Sequence, residues 1–310
     1  MAKPIFFALI GAIGLSLILS ACMSKSPAVT SSTSPASELF DWQGHRGARG
    51  LAPENSIPGF LKALDFAEVK TLELDLAVTA DQKLVVSHEP WFSAEISSHP
   101  DGRPVLPEEE EALLIYKMTY EEAARYDCGR RGHARFPEQQ PQPAAKPLLR
   151  DVVRQANRYA RQQGRALPLF NIEIKSEPAW DGERCPPPAA FAQLVIQEIY
   201  ALGLAKRVIV QSFDVRPLQE LRKRNNSIPI ALLVENDKSF EENMEALGFT
   251  PFAYSPHHPM VTAELVTKAH TLGVRVIPWT VNEPADMRRL LVLGVDGIIT
   301  DYPNRIKEAR

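Results

Sequence analysis

The sequence predicts an α/β chain folded as one (β/α)8 barrel of the TIM type, with an antiparallel hairpin arm and a small insertion near the barrel mouth. Three observations predict it. Strand-like and helix-like stretches alternate along most of the 310 residues. Two strands far apart in the chain, Thr71 to Val78 and Leu169 to Lys175, carry Leu or Ile on one face and charged or amide side chains on the other. Thr79 to Lys83 falls short of the roughly dozen residues that a parallel crossover needs, so Leu84 to Ser87 must return antiparallel. In a one-sided sheet the carboxylates of the two matching strands would simply face water. In a closed parallel barrel the apolar set packs under helices, and the charged set faces inward near the mouth.

Residues 1–21 read as a lipoprotein signal peptide, with Lys3 as a positive start and an apolar run from Ile5 to Leu19 that is shorter than a usual membrane span. Its ending, Leu19-Ser20-Ala21-Cys22, resembles a bacterial lipobox, which makes Cys22 the lipidated first residue of the mature chain. A plain secretory peptide is the alternative. Residues 22–38, rich in Ser, Thr, Pro and Ala, read as a flexible tether. The implied location is the bacterial cell envelope. Met23, where an Asp would signal inner-membrane retention, favours by resemblance an outer-membrane anchor facing the periplasm.

Residues 39–310 then form the barrel domain. A strand near 42–45 delivers His45 and Arg46 to its carboxyl end, and Glu54 and Asn55 precede a helix over Ile57 to Ala67, which Asn55 is expected to cap. The strand 71–76 turns Glu73 and Asp75 inward. A hairpin turn centred on Asp81 and Gln82 pairs Thr79 with Leu84, and so Asp75 with His88 on one face; a slip of one residue sends His88 to the other. Residues 91–146 break the rhythm and are too long for a simple loop, so they are expected to form a small lid or subdomain over the mouth. Within them Thr119 and Glu122 make a capping box, Glu108 to Glu111 read as a solvated face, and Phe136 to Gln139 as irregular packed chain.

Beyond the insertion, helices are expected over Leu148–Gln163, Ala189–Leu202, Val215–Arg224, Phe240–Gly248, Ala263–Leu272 and Pro284–Leu293. Strands near 169–174, 207–212, 229–234, 252–255, 274–278 and 297–300 complete a set of eight, with the 84–88 arm extra. Hydrophobic residues make up 45% and charged residues 24%, which suits one large core. The net charge of −3 argues against a nucleic-acid partner held by bulk electrostatics. Cys128 and Cys185 would be free to pair in an oxidising compartment, two free thiols being the alternative.

Three inward carboxylates, Glu73, Asp75 and Glu173, are what a hard divalent cation needs, and no Cys- or His-rich run points to zinc, so the expected cofactor is Mg²⁺ or Ca²⁺. Arg46 and Lys175 suit the oxygens of a phosphate ester, a small-molecule substrate whose charge must be neutralised before attack. His45 and His88 titrate near working pH and are the candidate acid and base. Gln211 should point inward, and Asp301 suits a local backbone cap as well as a site role. His257 and His258 are expected at the rim.

At these residues the chain resembles the glycerophosphodiester phosphodiesterases. The resemblance rests on His45-Arg46-Gly47, Pro53-Glu54-Asn55, Glu73-Leu74-Asp75 and His88, and continues through Asn171 to Lys175, Gln211 to Asp214, Trp279 to Asn282 and Asp296 to Asp301. It implies hydrolysis to glycerol 3-phosphate and an alcohol, one histidine activating the nucleophile and the other protonating the leaving oxygen. It also implies that Glu54 lies close to the metal and that Trp279 walls the glycerol end, a plain core tryptophan being the alternative. Glu89 stands where the family usually has Asp. Related barrels suggest two alternatives: a lyase-type phospholipase D acting on lysophospholipids, and a surface lipoprotein that kept the fold for binding only.

Overall fold

The computed structural model describes residues 40–310, so the expected leader, Cys22 and the tether lie outside the described residues. Nine strands follow in chain order: β1 (Asp41–Gly44), β2 (Val69–Val78), β3 (Leu84–Val86), β4 (Leu169–Ile174), β5 (Val208–Ser212), β6 (Ile230–Val234), β7 (Ala253–Pro256), β8 (Arg275–Val276) and β9 (Gly297–Thr300). All but β3 are parallel neighbours in the order β8-β7-β6-β5-β4-β2-β1-β9. The seam between β8 and β9 is bridged by backbone bonds from Asp296 N to Val276 O (2.9 Å) and from Ile299 N to Pro278 O (3.0 Å). The (β/α)8 barrel is nearly closed. β8 is shorter than the expected 274–278 because Pro278 has no N–H to give to a ladder.

Helices α1 (Ile57–Leu64), α3 (Leu149–Gln162), α4 (Pro188–Ala201), α5 (Val215–Arg224), α6 (Phe240–Leu247), α7 (Ala263–Thr271) and α8 (Pro284–Leu293) link the strands, α2 (Tyr120–Ala123) belongs to the insertion, and α9 (Ile306–Ala309) ends the chain. Their boundaries are written locally. Asp214, Ser239 and Thr262 each accept a backbone N–H of the first turn, and Gly248 and Gly294 end α6 and α8 at φ of 79° and 81°. The alternation of β2 and β4 resolves as the barrel requires. Leu72, Leu74, Leu76, Ile172 and Ile174 are fully buried in the layer under the helices, each contributing roughly 1.5–3 kcal/mol by its removal from water.

The insertion has a small core of its own, in which Phe92, Ile96, Val105, Ile115, Ala123 and Cys128 pack over Ala77 at the end of β2. The Thr119–Glu122 capping box opens α2 as expected. Glu109 and Glu110 are not merely solvated: Glu109 accepts from Leu106 N (2.9 Å), and Glu110 from Ala94 N (2.7 Å). Gln139 donates to Arg49 O (2.7 Å) and Gln140 N to Leu51 O (2.9 Å), which lays the irregular 136–140 stretch against the loop after β1. Cys128 and Cys185 are both buried free thiols and do not pair.

Candidate active site

β2 and β4 are adjacent, in a register that sets Asp75 beside Glu173 and Glu73 beside Asn171. One carboxylate oxygen from each of Glu73, Asp75 and Glu173 falls within 4.8 Å of the others, and all three side chains are buried. Each is held by a different neighbour. Glu73 accepts from Arg46 N (2.9 Å) and from Gln211 Nε2 (3.0 Å). Asp75 accepts from Asn55 Nδ2 (2.7 Å) and lies 3.3 Å from Arg46 Nε, while Glu173 pairs with Lys175 Nζ at 3.0 Å. The loop that brings Arg46 N to Glu73 turns through positive φ at Arg46 (51°) and Gly47 (88°). A Cβ on Gly47 would stand 2.5 Å from the Gly59 carbonyl carbon, so the loop can approach α1 only as glycine.

The electrostatics are those of an anionic pocket short of positive charge. Burial, with repulsion from Asp75, pushes Glu73 well above the usual carboxylate range. Burial also pushes Glu173 up to about 7, against the pull of Lys175 and with repulsion from Asp75. At Asp75 burial works in the same upward direction, but Arg46, with His88 and Lys175, overrides it and holds the carboxyl below its ordinary value. Three buried carboxylates, two of them still held above their ordinary range despite Arg46 and Lys175 beside them, fit a divalent cation.

Behind the cluster runs a buried amide chain. Asn171 Nδ2 donates to Gln211 Oε1 (2.9 Å) and to Gln43 Oε1 (2.8 Å), Gln211 donates onward to Glu73, and Gln43 Nε2 donates to Asp41 Oδ2 (2.7 Å). Gln211 therefore points inward, as expected.

Each histidine is backed by a carboxylate. His45 Nδ1 lies 2.6 Å from Asp301 Oδ1, and its Nε2 is 4.0 Å from Glu73 Oε2. His88 Nδ1 lies 2.6 Å from Glu89 Oε1, and its Nε2 is 3.2 Å from Lys175 Nζ. A carboxylate at Nδ1 fixes the Nδ1–H tautomer and leaves the lone pair on Nε2, which at His88 accepts from Lys175 Nζ. Burial pushes His45 down to about 4, Asp301 opposing and Arg49 assisting, and burial with Arg46 also lowers His88.

A cavity of about 190 Å³ is lined by His45, Arg46, Glu73, His88 and Glu173 together with the apolar Phe213, Leu233, Trp279 and Ile299. Trp279 donates Nε1–H to Ser255 O (2.8 Å) and meets Phe213 edge-on at 5.3 Å, so it is a wall of this cavity. His257 packs against Trp279 in a tilted contact, ring centroids 5.4 Å apart.

Two expectations are corrected. The hairpin register pairs Val78 with Leu84 and Leu76 with Val86, one residue off the expected Thr79–Leu84 pairing, because Gln82 takes a left-handed φ of 57° and lengthens the turn. Asp75 therefore faces Ser87, whose N–H donates to Asp75 O (3.0 Å). His88 still reaches the site, since the ladder ends at Val86 and the chain bends beyond it. Asn55 is not the cap of α1: Ser56 is, accepting from Gly59 N at 3.1 Å, which releases Asn55 to hold Asp75.

Sequence reasoning also missed partners. Glu54 stands outside the carboxylate cluster and binds Arg46 (3.0 Å) and Arg49 (3.5 Å). Arg49 and Asp301 were not assigned to His45, although Asp301 ends the last strand at the same mouth and binds Arg49 Nε at 3.1 Å. Position along the barrel was the available signal: residues just past the carboxyl ends of β1, β3 and β9 all converge here.

The family model described as the Glycerophosphoryl diester phosphodiesterase family matches residues 45–305. A putative glycerophosphoryl diester phosphodiesterase from Silicibacter pomeroyi DSS-3, known from a crystal structure, is 32% identical, with a TM-score of 0.76 over 87% of this chain and 92% of that one. A glycerophosphodiester phosphodiesterase from Caldanaerobacter subterraneus subsp. tengcongensis is 29% identical over 84% of this chain and 94% of its own length. An Oleispira antarctica phosphodiesterase, solved with its product sn-glycerol-3-phosphate, shares the fold at 20% identity, with a TM-score of 0.66 over 88% of this chain and 98% of that one.

Proposed function

The chain belongs to the glycerophosphoryl diester phosphodiesterase family of hydrolases, and we propose that it cleaves glycerophosphodiesters to glycerol 3-phosphate and an alcohol by metal-dependent, two-histidine chemistry. The observation that carries this reading is a cluster of three buried carboxylates, two of which, Glu73 and Glu173, line the same cavity as two carboxylate-backed histidines. Glu73, Asp75 and Glu173 hold the cation, Mg²⁺ or Ca²⁺. When bound it supplies Lewis-acid neutralisation of the phosphoryl oxygens. Arg46 and Lys175 stand beside it with their charge fixed: burial works against the ammonium of Lys175, but Glu173 and Asp75 keep it above its ordinary range. They orient the diester and balance its negative charge.

His45 and His88 both present an unprotonated Nε2. One accepts the proton of the attacking water, and the other, once protonated, gives a proton to the leaving oxygen; Asp301 and Glu89 stabilise whichever imidazolium forms. The apolar wall of Phe213 and Trp279 suits the carbon face of glycerol. Incubating the protein and Mg²⁺ or Ca²⁺ with glycerophosphocholine should release free choline and glycerol 3-phosphate. A folded, metal-loaded protein that turns over no phosphodiester sinks the reading in favour of a binding role, and cyclic phosphate formed from lysophosphatidylcholine alone replaces it with the lyase.

The same reading places the enzyme on a membrane through a lipid on Cys22, in the cell envelope and facing the periplasm. Its support is the Leu19-Ser20-Ala21-Cys22 sequence. Cys22→Ser should move the protein from the membrane fraction to the soluble one. Continued sedimentation with membranes would place the anchor elsewhere.

A further inference from the structure

Three arginines line the cavity, and they are not equivalent. Arg46 is held by Glu54 (3.0 Å) and Asp75 (3.3 Å), and Arg49 by Asp301 (3.1 Å) and Glu54 (3.5 Å), all with buried side chains. Their charges are committed to the site's own carboxylates. Arg135 comes from the insertion, and its side chain is 61% exposed. Its ion-pair partner Glu95, at 3.3 Å, is 59% exposed and does not line the cavity. Its guanidinium also meets His133 Nε2 at 3.3 Å, and a solvent-exposed ion pair such as that with Glu95 is weak and readily exchanged for another anion. The side chain is nevertheless aimed, because its guanidinium lies 5.8 Å from the Phe136 ring, which itself packs under Arg49 at 4.5 Å.

An exchangeable guanidinium on the wall of a reaction cavity calls for an anion that the rest of the site does not bind. The glycerol side of the substrate carries no charge beyond the phosphodiester, so a further anionic group can sit only on the leaving alcohol. Resting on the phosphodiesterase reading above, we propose that Arg135 is a specificity residue, and that the preferred substrates are glycerophosphodiesters whose leaving alcohol bears a carboxylate or a second phosphate. Bidentate recognition of such groups by arginine gives the contact its selectivity. Glu89, whose carboxylate also belongs to the cavity lining, is held by His88 at 2.6 Å.

The test compares glycerophosphoserine with glycerophosphoethanolamine, which differ by one carboxylate, using the full chain with Mg²⁺ or Ca²⁺ present. The unaltered protein should favour the serine diester by about tenfold in kcat/KM, mainly through KM. In Arg135→Ala that ratio should collapse to within about twofold, and Arg135→Lys should keep part of it, because lysine retains the charge without the fork. Glu95→Gln, which frees Arg135 from its competitor, should raise the ratio; a merely structural role for Arg135 would not move the two variants in opposite directions. Equal turnover of both diesters by the unaltered protein overturns the inference and leaves the phosphodiesterase reading standing. So does an equal loss on both substrates in Arg135→Ala, which would assign the arginine to the shared phosphate. Turnover of neither diester overturns both readings.

Discussion

His45→Ala and His88→Ala proteins are each expected to turn over substrate at least about a hundredfold more slowly than the unaltered chain, with the metal still bound. The size follows from the chemistry: neither the attacking water nor the leaving alkoxide is competent at neutral pH without a proton transfer, and each transfer is worth roughly a hundred- to ten-thousand-fold. The pairing of each ring adds a second, smaller effect. Asp301 touches His45, Arg49 and Asn282 (2.8 Å), so Asp301→Asn would keep the shape but remove the charge that fixes the His45 tautomer and stabilises its imidazolium. Rates in these variants, read beside metal titrations, decide the matter. If either alanine variant retains more than a tenth of the turnover, that histidine is not a proton carrier.

The other large effect is on the carboxylate cluster. Chelation should abolish activity, and Glu73→Gln should weaken metal binding by at least about a hundredfold, beyond the roughly 10–100-fold typical of losing an outer partner. The affinity of the unaltered protein should depend on pH in a definite sense. Glu173, raised to about 7, and Glu73, also held well above the usual carboxylate range by burial and Asp75, must lose protons to bind a cation. Apparent affinity therefore rises between about pH 6 and pH 8, and Glu173→Gln should flatten that rise. Isothermal titration at the two pH values checks it; a pH-independent affinity in the unaltered protein would remove the cluster from metal binding.

Most of the architecture was legible because barrel strands announce themselves twice, by rhythm and by face. Leu72, Leu74 and Leu76 could pack only under helices, which left Glu73 and Asp75 no direction but inward, and Ile172 and Ile174 did the same for Glu173. The hairpin was less legible, since its register depends on one residue, Gln82, adopting a left-handed conformation that its side chain does not advertise. Asn55 and Ser56 are both good caps, and only the tertiary demand of Asp75 for a donor decides between them. Asp301 reaches His45 across 256 positions of sequence, a separation no local pattern spans. The lid was legible as an interruption, but Arg135 was invisible as a wall residue because nothing periodic marks an irregular loop.

The amide chain inside the barrel has a polarity. Asn171 spends both of its N–H groups, one in each direction, so every donor along the chain points away from it and the two arms end on carboxylates, Glu73 toward the mouth and Asp41 in the other direction. Reversing one link would set two N–H groups or two oxygens face to face in a dry interior, at about 1–3 kcal/mol for each group left without a partner. The filament consequently cannot be edited one residue at a time. Loops at the mouth can drift toward new leaving alcohols while Gln43, Asn171 and Gln211 change together or not at all, so that the grip on Glu73 is inherited as a block and selectivity is acquired piecemeal.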